Sequence, residues 1–137
     1  MKIAHIEFHP DFILPILEEK KIVTRRPLKI QPNEIIDGAL IYGEEKIYIS
    51  DLLCPFGSPG DIALLMAENN PNQFADSKII SIRIERLLAV MDPDEHQKEG
   101  FSFLNGFLDK WDQFYGGTIY DHKFNPFVYR IEWRIRK

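Results

Sequence analysis

Apolar and polar residues alternate with the two-residue period of a half-buried strand in two long stretches of the chain. In "KIISIRIERLLAV", residues 78–90, Ile80, Ile82 and Ile84 fall on one side and Ser81, Arg83 and Glu85 on the other. In "FVYRIEWRIR", residues 127–136, Tyr129, Ile131, Trp133 and Ile135 oppose Arg130, Glu132, Arg134 and Arg136. Each pattern predicts a strand with one face on a core. Residues 2–8, "KIAHIEF", predict a short first strand, and residues 22–26 a second, closed by Pro27. "ALIYGEEKIYIS" predicts a hairpin turning at Gly43, Glu44 and Glu45. The turn-rich "CPFGSPGD" then opens "IALLMA", a nearly continuous apolar run that suits a buried strand.

The helical signals are shorter. "PDFILPILEEK" predicts a short helix with Asp11 as N-cap, which leaves Pro15 near the first turn. "DPDEHQKEG" has Asp92 as N-cap, Pro93 at the first helical position, Glu95 at the capping-box position and Gly100 as a stop. Phe103, Phe107, Trp111 and Tyr115 recur every four residues and end at Gly116 and Gly117, an apolar helical stripe that reads as core, with a base-stacking platform as the alternative. The segments 27–37 and 69–76 read as loops. Few helices, with strands dominating residues 39–90, predict an α+β or mostly β fold: a small barrel with short flanking helices.

Composition narrows the function classes. The 137 residues fit a single domain spanning 1–137. With 45% hydrophobic and 28% charged residues, the chain has the makings of a packed core rather than of a disordered tract. The net charge of −4 excludes a generally cationic, nucleic-acid-coating protein, while leaving room for a local basic patch. Cys54 stands alone, so no internal disulfide forms, and a reducing, cytoplasmic location is expected. Polar residues at 5, 7, 9 and 11 interrupt the N-terminal apolar run, so neither a secretion signal nor a membrane span is expected.

The densest charge lies in "EEKKIVTRRPLK", residues 18–29. If residues 22–26 are extended, Thr24 and Arg26 share one face and Arg25 takes the other. Lys21 sits at the helix-to-strand junction and reaches toward Thr24. A lysine and a hydroxyl so placed suit a phosphate or carbonyl oxygen, or acyl chemistry if burial lowers the lysine pKa. The same segment also reads as a solvated edge, with Lys20, Lys21, Arg25 and Arg26 countered by Glu18 and Glu19. Arg130, Arg134 and Arg136 suit a phosphate-tracking face, and equally well paired surface charge, with Glu132 among them and Glu85 on the other long strand. His5 and His9 straddle a strand end and a helix start, so no metal site is expected, nor any cofactor. His96 reads as a helix-surface residue and His122 as a loop residue. No G-x-G-x-x-G, P-loop, H-E-x-x-H or C-x-x-C pattern occurs.

The order of "ILEEKKIVTRR", "SPGD", "IISIRIERL", "KEG" and "VYRIEW" resembles the ASCH domain of the PUA-like superfamily, over nearly the whole chain. The resemblance implies a small PUA-like β-barrel with helices across its openings, and binding of RNA or a modified nucleoside. The family motif G-x-K-x-x-E-x-R, with threonine replacing glutamate in some members, falls on Glu19, Lys21, Thr24 and Arg26. "VTRRP", "CPFGSPGD", "KEGF", "DKWDQFYG" and "NPFVYRIEW" look closest to ASCH-like proteins of phages and prophages. One branch of the family removes the acetyl group of N4-acetylcytidine with a lysine, a threonine and a glutamate. By position these would be Lys21, Thr24 and Glu99.

Three readings follow from the resemblance: a binder of RNA or a modified nucleoside through Lys20, Lys21, Thr24, Arg25, Arg26 and Arg130; an amidohydrolase; or a phage accessory protein with a protein partner. Two departures bear on them. Glu19 replaces the motif glycine and is expected to set a negative charge beside Lys21. Leu64 and Met66 stand where phage relatives carry tryptophan and arginine, and Glu68 follows them.

Overall fold

The computed structural model describes residues 2–52, 54–70 and 72–137. The chain runs through β1 (Ile3–Phe8), α1 (Ile13–Leu17), β2 (Val23–Pro27), β3 (Glu34–Ile36), β4 (Ala39–Tyr42), β5 (Glu45–Tyr48), β6 (Ile62–Ala67) and β7 (Gln73–Arg86). Then come α2 (Pro93–Lys98), α3 (Leu104–Tyr115) and β8 (Phe127–Ile135). Five strands form one sheet in the order β1-β6-β7-β8-β2, with β1 parallel to β6 and the other neighbours antiparallel. β3, β4 and β5 form a separate antiparallel meander. The fold is α+β, as the patterns predict. The ladder is not closed, however: β1 and β2 are the two edges of the larger sheet, and among the described residues no strand pairing joins them.

The inward face of β8 follows its alternation. Tyr129, Ile131 and Trp133 are buried and pack with Ile6, Phe8, Leu65 and Ile79 in the main core. β7 departs from the expected single face. A bulge between Ile79 and Ser81 shifts its register against β8, so Ile79 is buried and Ile80 is 47% exposed, while Ile82 and Ile84 return to the core.

Other local expectations change in detail. Residues 34–36 pair with β4 instead of forming loop, and Gln73 already belongs to β7; Pro71 of the expected 69–76 loop lies outside the described residues. Before α1 a 3-10 turn spans Pro10–Phe12, capped by His9, whose Nδ1 accepts from the Asp11 amide at 3.1 Å. Asp11 is therefore not the cap, and its carboxylate takes the Lys110 ammonium at 2.5 Å. α2 starts as predicted, with the Asp92 carboxylate accepting from the Asp94 amide at 3.0 Å. Glu95 does not fold back on that cap; its carboxylate is taken by arginines. α3 buries Phe107 and Trp111 against Leu87, Val90 and Val128, whereas Phe103 precedes the helix and is 78% exposed. No helix among the described residues is long and apolar enough to cross a membrane.

Candidate functional site

Two left-handed residues bring the site together. After α1 the chain reverses at Glu19, φ +59°, and the amides of Lys20 and Lys21 both donate to the Pro15 carbonyl. α2 ends at Gly100, φ +95°, where a Cβ would come 3.1 Å from that of Lys21. Between these turns Lys21 and Glu99 form an isolated antiparallel bridge, and the Ile22 amide donates to the Lys98 carbonyl at 2.8 Å. A lysine and a glutamate 78 residues apart are thus held backbone to backbone before their side chains meet.

The Lys21 side chain is buried. Its Nζ donates to Glu99 Oε1 at 2.7 Å, to the Val23 carbonyl at 2.8 Å and to the Glu99 carbonyl at 3.2 Å, and lies 4.8 Å from the Phe12 ring centre. Burial pushes the Lys21 pKa below its usual value, and the Glu99 carboxylate opposes that shift only in part. Thr24, also buried, accepts from Arg26 Nε at 3.3 Å through its hydroxyl oxygen. The Arg26 guanidinium lies between the Phe8 and Phe56 rings, 5.1 and 5.5 Å from their centres, and donates to the Glu7 carbonyl at 2.5 Å. That bond spans the gap between the two edge strands.

Here a cavity of about 280 Å³ opens, with Lys21, Thr24, Arg26 and Glu99 in its lining. Much of the rest of the lining is aromatic, with Trp111, Phe114 and Tyr115 from α3 and Phe12 and Phe101. Glu7, Glu68, His9 and Lys110 also line it. The size is near the lower end of the roughly 300–1,000 Å³ of small-molecule sites.

Lys21, Thr24, Arg26 and Glu99 therefore line one space, while the other proposed binding residues differ. Lys20 is exposed, 3.7 Å from Glu18, and is not on the cavity. Arg25 touches the cavity wall, but its guanidinium is fully buried and bonded to Glu99 at 2.9 Å, Glu95 at 2.6 Å and Glu85 at 3.1 Å. Arg130 is buried too, with Nε on Glu95 at 2.5 Å and Nη2 on Glu132 at 3.1 Å. Neither is presented as a phosphate contact, because each charge is already met by carboxylates. Glu19 does not sit beside the Lys21 ammonium; its carboxylate is exposed and pairs with Lys137 at 2.8 Å. Leu64 and Met66 are not on the cavity, whereas Glu68 is.

The histidines also depart from expectation. His96 is buried, with Nδ1 3.1 Å from the Val90 carbonyl. His122 meets Asp112 at 2.7 Å and lies 3.6 Å from Asp121. Those three could converge on an ion, but hydrogen bonds account for them: Asp121 accepts from the Gly117 and Lys123 amides. Of the aromatic lining, Phe12, Phe101 and Phe114 carry no sequence signal of their own. The stripe of Phe107, Trp111 and Tyr115 reads as core or as a stacking platform, and these residues both pack in the core and line the cavity.

The fold is that of ASCH domains. An ASCH domain from Lactobacillus crispatus superposes with a TM-score of 0.65 at 11% identity, covering 98% of this chain and 79% of that one. A protein of Enterococcus faecalis gives 0.61 at 10% identity, covering 98% and 81%. The ASCH protein of Zymomonas mobilis gives 0.55 at 13% identity, covering 97% and 67%. No family model matches the chain, and no curated protein does.

Proposed function

We propose that the cavity binds a single modified nucleoside, with its base against the aromatic wall and its polar edge toward Lys21, Thr24 and Arg26. The observation that carries this reading is that a buried Lys21–Glu99 pair and Thr24 share the lining of one cavity of about 280 Å³ with Trp111, Phe114 and Tyr115. Aromatic faces stack on any base, and a few convergent polar groups fix its orientation. A surface that tracks an RNA backbone is supported less well. Arg25 and Arg130 are neutralised, and Glu7 and Glu68 line the cavity.

A second reading, amide hydrolysis of an N4-acylated cytidine, is favoured by the Lys21–Glu99 contact and by the resemblance that assigns both residues, with Thr24, to such chemistry. In its neutral form Lys21 would take the proton of the Thr24 hydroxyl or of a water as the oxygen attacks the acyl carbon. The C–N bond breaks and the leaving nitrogen receives a proton from the Lys21–Glu99 pair; after attack by Thr24, water then releases the acyl group. The phage-like order of motifs and the lone Cys54 fit a cytoplasmic protein of phage or prophage origin under this reading.

Titrating the protein with N4-acetylcytidine, cytidine and a short single-stranded RNA, read by quenching of tryptophan emission, tests binding. The acetylated nucleoside should saturate the signal at a lower concentration than the RNA. Chromatographic detection of cytidine tests hydrolysis, with Thr24→Ala and Lys21→Ala as controls. Turnover no greater than in these variants would leave binding alone.

A further inference from the structure

The cavity uses one face of the Lys21–Glu99 pair, and the other face is held by a buried arginine to which the reading above gives no role. Arg25 is fully buried, and its Nη1 takes Glu99 Oε2 at 2.9 Å while Lys21 holds Oε1 at 2.7 Å. Nη2 turns away to Glu95 at 2.6 Å and Glu85 at 3.1 Å. Glu95 is in turn held by Arg130 of β8, by Arg83 of β7 at 3.1 Å and, more loosely, by Lys98 at 3.8 Å. Arg130 passes the chain to Glu132, and Glu132 to the exposed Arg134 at 3.0 Å.

We propose that Arg25 is a positioning residue for the site: it clamps the Glu99 carboxylate from behind, fixes the oxygen offered to Lys21, and anchors the pair through Glu95 and Arg130 to β7 and β8. This rests on the nucleoside-amide reading of the cavity. With one cation on each oxygen, Glu99 keeps a partner when Lys21 gives up a proton, so the lysine can become neutral without stranding a buried carboxylate. Arg25 also repels the Lys21 charge directly. The groups facing that ammonium are Glu99 from the end of α2 and Arg25 and Arg26 from β2; Lys110 of α3 is turned to Asp11. Of these only Glu99 favours the charged form. Without Arg25, all of the Glu99 charge would act on Lys21, and the lysine would hold its proton to higher pH.

The test follows the titration of the Lys21 Nζ by nitrogen-15 NMR in the wild type and in Arg25→Gln/Glu95→Gln, which removes one cation and one anion and leaves the charge of the cluster unchanged. The midpoint should rise by about one pH unit. A midpoint that stays put overturns the proposal. This measurement needs no turnover, so a wild type that fails to hydrolyse N4-acetylcytidine sinks the amidohydrolase reading without deciding the role of Arg25.

Where turnover is seen, Arg25→Lys, which keeps the charge but cannot bridge three carboxylates, should lower kcat roughly tenfold with KM unchanged, because the pair is misplaced while the aromatic lining is unchanged. If the double variant does not fold, this split decides. An unchanged kcat, or a loss confined to KM, overturns the positioning role.

Discussion

Lys21 and Glu99 are joined twice, once by a backbone bridge and once by a side-chain contact of 2.7 Å, and both residues are only 2% exposed. The bridge settles where the side chains are, so the charge pair does not have to organise itself from long, free chains. Removing one partner of such a pair leaves the other buried and uncompensated. Glu99→Gln should therefore destabilise the protein by about 3–5 kcal/mol. Lys21→Met/Glu99→Gln should lose clearly less than the sum of the single variants, read from urea unfolding at pH 7. Strict additivity would mean that the two charges do not depend on each other.

Acid stability should depend on Glu95. Burial raises its carboxyl pKa, but the bonds from Arg130 and Arg25 outweigh that and hold it down to about 2. A carboxyl with a depressed folded-state pKa binds fewer protons than the unfolded chain between pH 4.5 and about 2. Its contribution is complete above that window and lost as the pH falls through it. After allowance for solvent screening, about 2 kcal/mol should disappear over this range. Glu95→Gln should show a shallower acid limb in denaturant melts taken from pH 6 to pH 2.5. The same limb in both proteins would count against the arginine cluster.

Gly100→Ala should be costly in a way that reaches the site. The residue sits at φ +95°, and a Cβ there would press on Lys21 Cβ at 3.1 Å. Backbone strain and crowding together should cost about 2 kcal/mol or more. Because the pressure falls on Lys21, the variant should also weaken N4-acetylcytidine binding in the fluorescence titration. A stable variant with unchanged affinity would mean that the end of α2 does not set the position of Lys21.

Much of this was legible in the chain, and the losses have physical causes. The core-facing residues of β8, Tyr129, Ile131 and Trp133, could be read from its period, although Val128 and Arg130 on the other face are buried as well. β7 could not, since its bulge at Ile80 is a register choice made with β8, and only the pairing reveals it. The same two-residue period assigned Arg25 to the face opposite Thr24. Its Nη2 does turn to Glu85 and Glu95, yet an arginine is long enough for Nη1 to reach Glu99 as well. The aromatic lining was ambiguous for a different reason. Phe107, Trp111 and Tyr115 at four-residue spacing satisfy a core and a cavity with the same pattern. Glu19 was misread because sequence position suggested a neighbour for Lys21, whereas its left-handed turn sends the side chain to Lys137.

That turn makes Glu19→Gly informative. At φ +59° a glutamate carries a steric penalty that glycine does not, and the Lys137 pair it gives up is exposed. Glycine should therefore raise stability by about 0.5–1 kcal/mol, less whatever flexibility it adds to the unfolded chain. The melting temperature should rise slightly while the Lys21 titration stays where it is. A shift of that titration would restore Glu19 as a charge acting on the site.

Ionic strength separates the ligand classes. Arg25 and Arg130 are held by buried carboxylates, Lys110 by Asp11, and Lys20 stands off the cavity beside Glu18. Of the cations lining the cavity only Arg26 has no carboxylate within ion-pair distance among the described residues, and it is held between Phe8 and Phe56. A neutral nucleoside should therefore bind with an affinity that changes less than about twofold between 50 and 500 mM salt, since no counterions are released. A ligand that makes Z phosphate contacts would instead lose affinity with a slope of about −0.7Z for a single strand. Arg26→Met should weaken nucleoside binding without altering that flat response. A steep slope abolished by Arg26→Met would turn the reading toward a phosphate at the cavity mouth, with the aromatic wall stacking one base of a longer strand.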